Sequence, residues 1–86
     1  MKHILFFTGD GCANCAAIKP EFERICTEHG FSDYEYIDLY EREDADELAG
    51  KYHFRGLPTM VYLDDSGFTT RTGNNAHEYL VEFLNK

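Results

Sequence analysis

The chain has 86 residues and a formal net charge of −8, from 16 Asp+Glu against 8 Lys+Arg. At this length one small core is within reach and a second domain is not, because chains of this size bury only about 60–65% of their unfolded surface. The acidic balance argues against nucleic acid and anionic membrane surfaces as partners, both of which demand a basic footprint.

Met1-Lys2-His3 leads into only four strongly apolar residues, Ile4 to Phe7, too few for a secretory signal core or a membrane span. The expected compartment is therefore the cytoplasm. Three cysteines is an odd number and suits a disulfide scaffold poorly. In a reducing compartment a close pair points instead to catalysis or to metal binding.

In chain order, "HILFF" (His3–Phe7) is a continuous apolar run, as expected of a strand buried on both faces. Gly9, Asp10 and Gly11 break it, and a helix is predicted to begin near Cys12 or Ala13. Its apolar stripe reads Cys15, Ile18, Phe22, Ile25, Cys26 and His29, spaced by three and four. Pro20 predicts a kink within it and Gly30 its stop. "YEYIDLY" (Tyr34–Tyr40) reads as a second strand. Ala45, Leu48, Ala49 and Tyr52 recur at helical spacing, so a short second helix is predicted, weakened by Gly50. The acid-rich "YEREDADE" before it reads as a solvated helix start. "PTMVYLDD" is a third strand, "DDSG" a tight turn and "FTTRT" a fourth strand. The last segment places Ala76, Tyr79, Leu80, Phe83 and Leu84 on one helical face, with Asn74 or Asn75 as its cap. The tyrosines and phenylalanines fall mostly on core faces.

The order is β-α-β-α-β-β-α over one domain, residues 1–86. The first two strands should be parallel with a right-handed crossover and the last two an antiparallel hairpin. The fold class is α/β, with a mixed four-stranded sheet flanked by helices.

"GCANC" (Gly11–Cys15) carries the chemistry. Cysteines three positions apart are neighbours on a helical turn, within disulfide reach. Cys12 lies where the helix begins, and free N–H groups and the helix dipole favour a thiolate there. Cys15 is a turn deeper and should be shielded. An activated thiol in front of a buried partner suits thiol–disulfide exchange, with Cys12 attacking and Cys15 resolving. Zinc sites use the same spacing, but a structural site wants four ligands. Cys26, His3, His29, His53 and His77 include no second pair. A Gly-flanked helix start is a poor place to bury a merely structural thiol. Cys26 reads as a packed core thiol.

These motifs resemble the thioredoxin superfamily along nearly the entire chain, Ile4 to Leu84. The CxxC follows the first strand, Pro20 lies five residues on in the same helix, "KYHFRGLPT" precedes the third strand, and "TGNNAHEYLVEFL" leads into a final amphipathic helix. The chain is similar to the small thioredoxin/glutaredoxin-like proteins of prokaryotes and their viruses. The resemblance implies a thioredoxin-like fold, a cis-proline at Pro58 facing Cys12 and Cys15, backbone pairing of Leu57 with an extended substrate, and Gly73 at the groove's rim. Gly11, Ala13 and Asn14 would border the same site. It further implies disulfide-containing protein substrates, ribonucleotide reductase among them, and a thioredoxin reductase-like donor or glutathione. No bound cofactor and a monomeric state are expected.

The chain departs from that pattern in two places. The usual WCGPC is "GCANC", so a tryptophan is replaced by Gly11. The buried Asp and Lys that serve the second cysteine are replaced by Phe6 and about Tyr36. "TGNNAHE" lacks the Gly-Gly-x-x-Asp-like turn with which glutaredoxins hold glutathione, though Lys19, Lys51 and Arg55 could supply cations. The reading is a thioredoxin-type protein-disulfide reductase, with a glutathione-dependent glutaredoxin and a non-catalytic binding module as alternatives.

Overall fold

In the computed structural model, which describes residues 1–86, β1 (His3–Thr8) is the strand around which both halves of the core are built. Ile4 and Phe6 point to one side, Leu5 and Phe7 to the other, and all four are buried. A strand covered on both faces needs no polar alternation, which is why its sequence is a continuous apolar run.

The sheet order is β2-β1-β3-β4. β2 (Tyr34–Asp38) runs parallel to β1, with Phe6 opposite Tyr36. β3 (Thr59–Asp64) is antiparallel to β1, and β4 (Gly67–Thr72) closes a hairpin with β3. In the hairpin turn the Asp64 carboxylate accepts from the Ser66 N–H (2.9 Å) and hydroxyl (2.6 Å), which holds its pKa below the usual value.

On one face, α1 (Ala13–Glu28) and α3 (Leu80–Leu84) cover a cluster containing Phe6, Phe22, Met60, Tyr62, Leu80 and Phe83. On the other, α2 (Ala45–Tyr52) closes a smaller cluster of Leu5, Phe7, Ile37, Tyr52, Phe54 and Val61. The fold class read from the sequence is the one observed.

Several boundaries differ. Helix α1 runs unbroken through Pro20 and stops at Gly30, φ +64°. There the Gly30 N–H bonds the Thr27 carbonyl and the Phe31 N–H bonds that of Cys26 (2.8 Å), a Schellman closure. His29, expected on the buried stripe, is the exposed cap of that closure instead. Strand β2 ends at Asp38, not Tyr40, because the Asp38 carboxylate accepts the Tyr40 N–H (2.9 Å) and turns Leu39–Glu41 into a 3₁₀ turn. The last helix opens as a 3₁₀ turn, Ala76–Tyr79, and Asn75 makes no side-chain cap. The buried Tyr62 hydroxyl pins that turn by donating to the Ala76 carbonyl at 2.6 Å. Two aromatics leave the core: Tyr40 is 71% exposed and Phe68 partly so. No helix is long and apolar enough to cross a membrane.

Candidate active site

The loop Gly9–Gly11 delivers the chain from the end of β1 to the start of α1. Its turn is closed by the Cys12 N–H on the Gly9 carbonyl (3.2 Å), and Gly11 takes a φ of +78°, a conformation suited to glycine. Cys12 is thereby placed as the N-cap of α1. Its sulfur accepts the Cys15 N–H at 3.2 Å, one of the amide groups a helix start leaves without an internal partner. Cys12 is half-buried and Cys15 is 1% exposed. The two are joined as a disulfide, with Cα atoms 5.3 Å apart. Ala13 and Asn14 between them are exposed, as are Gly11 and Asp10.

The loop before β3 meets this pair from across the sheet. Leu57 and Cys12 line one groove, and both pack on the edge of the larger core cluster. The Leu57–Pro58 peptide is cis and Pro58 is buried. Neither the N–H nor the C=O of Leu57 is hydrogen-bonded within the chain. Thr59, the one buried polar residue, donates to the Gly56 carbonyl at 2.6 Å and shares a 2.8 Å hydrogen bond with Thr72. These bonds lock the loop onto β4. Gly73, at φ +106°, donates its N–H to the Pro58 carbonyl at 2.8 Å. The fold thus gathers Gly11, Cys12, Cys15, Leu57, Pro58 and Gly73 at one end of the sheet.

A match to the thioredoxin family model spans residues 1–86. The chain belongs to the thioredoxin family. It is 26% identical over 80 residues to Protein disulfide isomerase-like 1-4 of Arabidopsis thaliana, covering 93% of this chain but only 13% of that relative's length. Among solved structures it resembles Fasciola hepatica thioredoxin (25% identity, TM-score 0.75, 98% of this chain and 78% of that one). It also resembles thioredoxin from Trypanosoma brucei brucei (21% identity, TM-score 0.77, 99% and 73%). A thioredoxin-family domain with a Cys12–Cys15 pair at disulfide distance is in class a thiol–disulfide oxidoreductase.

The interior beside the cysteine pair is aromatic. Phe6 and Tyr36 are register partners with rings 5.1 Å apart, edge to face. The Tyr36 hydroxyl donates to Glu23, and the Lys19 ammonium lies 4.7 Å from its ring centroid. Burial and the Glu23 carboxylate push the Tyr36 phenol well above its usual range, so it stays neutral. No carboxylate is buried anywhere in the molecule. Cys26 lies in the same cluster as Cys15, and burial pushes its thiol up to about 11. No group of three or more His, Cys, Asp or Glu side chains is arranged to hold a metal ion.

Two features of the site escaped the sequence. Thr59 ends the "KYHFRGLPT" motif, but nothing in that pattern predicts its bonds to Gly56 and Thr72. Tyr40, read as the end of a strand, lines the groove with Cys12; the signal that could have found it is the Asp38 two residues before, a turn former.

Proposed function

We propose that the chain is a thioredoxin-type protein-disulfide reductase. The observation that carries this reading is the asymmetry of the pair: a half-exposed Cys12 that caps the helix, in front of a Cys15 that is 1% exposed. In the reduced protein the helix start favours the Cys12 thiolate. That thiolate attacks one sulfur of a substrate disulfide. The substrate S–S bond breaks, one substrate sulfur leaves as a thiolate and takes a proton, and the other stays bonded to Cys12. Cys15 then loses its proton and attacks the Cys12 sulfur. This releases the second substrate thiol and leaves the Cys12–Cys15 disulfide, so the substrate gains two electrons and the pair loses them. With no buried carboxylate available, the Cys15 proton goes to water or to the leaving substrate thiolate.

Leu57 is the docking strand in this reading. Its free N–H and C=O suit pairing with an extended substrate backbone beside Cys12. Pro58 fixes the loop's course, and Gly73 keeps the opposite rim bare. Gly11, Ala13 and Asn14 form the exposed surface around the attacking sulfur. The proposed setting is a reducing compartment such as the cytoplasm, consistent with Cys26 being buried and unpaired. A dithiol donor, of the thioredoxin reductase kind, would return the pair to the reduced state. A ferredoxin:thioredoxin reductase complex among the similar structures supports such a donor in general terms.

The test is NADPH consumption with a protein disulfide substrate. It is run in parallel with a thioredoxin reductase and with glutathione plus glutathione reductase. Turnover through the thioredoxin reductase, lost in both Cys12→Ser and Cys15→Ser, is the expected result. Turnover through glutathione that survives Cys15→Ser would make the chain a glutaredoxin. Full activity in Cys12→Ser would end the proposal.

A further inference from the structure

Tyr40 is the most exposed aromatic residue of the molecule, at 71%, yet it is held in place. Its N–H is bonded to the Asp38 carboxylate at 2.9 Å. Its ring lies against Gly9, where a Cβ would come within 2.8 Å of Cε2 and within 2.9 Å of the Leu57 side chain. Gly9 therefore lets the Tyr40 ring and Leu57 close on the loop that carries Cys12. Tyr40, Leu57 and Cys12 border one groove, whose apolar lining also includes Leu39 and Ala49. An exposed ring fixed at the rim of an apolar groove is a contact surface without a partner inside the chain.

The charges around the groove are lopsided. Asp10 and Asp46 line it and are exposed, as are Glu41, Glu43 and Glu47 nearby in the chain. Arg42 is spent on a two-bond pair with Asp44, at 2.9 and 3.0 Å. Arg55 is the single cation lining the groove. On a chain of net charge −8, this favours a cationic partner.

We infer that Tyr40 is a specificity-determining residue. Its ring receives an apolar side chain adjacent to the partner's disulfide cysteine, and the acidic rim selects partners with lysine or arginine flanking that anchor. The occupant is an extended, basic, disulfide-bearing polypeptide segment. This inference rests on the proposed attack by Cys12.

The experiment uses reduced, desalted protein in single turnover against disulfide-linked peptides, each rate read relative to the small neutral 2-hydroxyethyl disulfide. The peptides vary Leu against Ala beside the cysteine, and Lys against Glu further along. The wild type should prefer the Leu peptide by roughly 5-fold, the scale of one aromatic contact, and the Lys peptide by a ratio that shrinks with added salt. Tyr40→Ala should abolish the Leu preference and Tyr40→Phe should keep it. A wild type without either preference, or a Tyr40→Ala variant that retains the Leu preference, overturns the inference. A wild type that reduces neither the peptides nor 2-hydroxyethyl disulfide refutes the attack by Cys12, and this inference with it.

Discussion

Phe6 and Tyr36 face each other across the β1–β2 pair, in register and edge to face at 5.1 Å. The two rings belong to the same packed cluster as Cys15, at the positions where the family resemblance implies a buried carboxylate and ammonium. Apolar packing there avoids the desolvation that buried charges incur. Phe6→Asp should destabilise the protein by about 3–5 kcal/mol, because it leaves an unpaired charge in a fully buried site. Adding Tyr36→Lys should recover part of the loss by supplying the opposite charge. Urea melts of both variants check this; a double variant no more stable than Phe6→Asp alone would refute the proposed pairing across the two strands.

Cys26 gives stability an alkaline edge. Its thiol is raised in the folded state, from an unfolded value of 9.0 to about 11. Below pH 9 both states keep the proton and stability is flat. Between 9 and 11 the unfolded chain releases it while the folded chain holds it, so stability falls as pH rises, by on the order of 1–2 kcal/mol. Tyr34 and Tyr36, also shifted upward, add to the same trend. Denaturation midpoints measured from pH 8 to 11 should slope less in Cys26→Ala than in the wild type. At pH 8, iodoacetamide should modify Cys12 in the reduced protein and leave Cys26 untouched until denaturant is added.

Tyr62→Phe removes the 2.6 Å hydrogen bond to the Ala76 carbonyl without changing the ring's packing against Tyr79 and Phe83. The expected loss is about 1–2 kcal/mol, as for a buried bond left half-made. A thermal melt indistinguishable from wild type would mean that the 3₁₀ turn Ala76–Tyr79 is held by other contacts.

Gly73→Ala tests the rim. At φ +106° a side chain is strained even though open space surrounds the position. The variant should lose about 1 kcal/mol or more, and its turnover with protein disulfides should fall further than with 2-hydroxyethyl disulfide. Equal loss on both substrates would assign Gly73 to folding alone.

How far the molecule could be read from its sequence depends on the range of the forces involved. The Ile4–Phe7 run, the helical stripe from Cys15 to Cys26 and the CxxC pair are local patterns, and the elements built on them formed where the periodicity placed them. His29 continued the stripe in spacing but not in burial, because the Schellman closure at Gly30 ends the helix beneath it. The turn at Leu39–Glu41 hung on a single side-chain bond from Asp38, which outweighed the strand preference of Tyr40. The approach of Leu57 to Cys12, and of Gly73 to Pro58, has no periodic signal at all. It follows from the antiparallel pairing of β1 with β3, and only the resemblance to a known family anticipated it.

That pairing also governs how the molecule holds its active geometry over time. Cys12 follows β1 through the Gly9–Gly11 loop, Thr59 starts β3, and Phe7 of β1 is paired with Thr59. The two sides of the groove are therefore joined through the most interior hydrogen bonds of the sheet, while the edge strands β2 and β4 lie outside them. Fraying at an edge strand leaves the cysteine loop and the loop before β3 joined, and only an opening that separates β1 from β3 parts them. Amide protons of Phe7 and Thr59 should exchange with solvent as slowly as any in the protein, at the rate of global unfolding. The competence of the cysteine pair would then be lost all at once, with the fold, and not in stages.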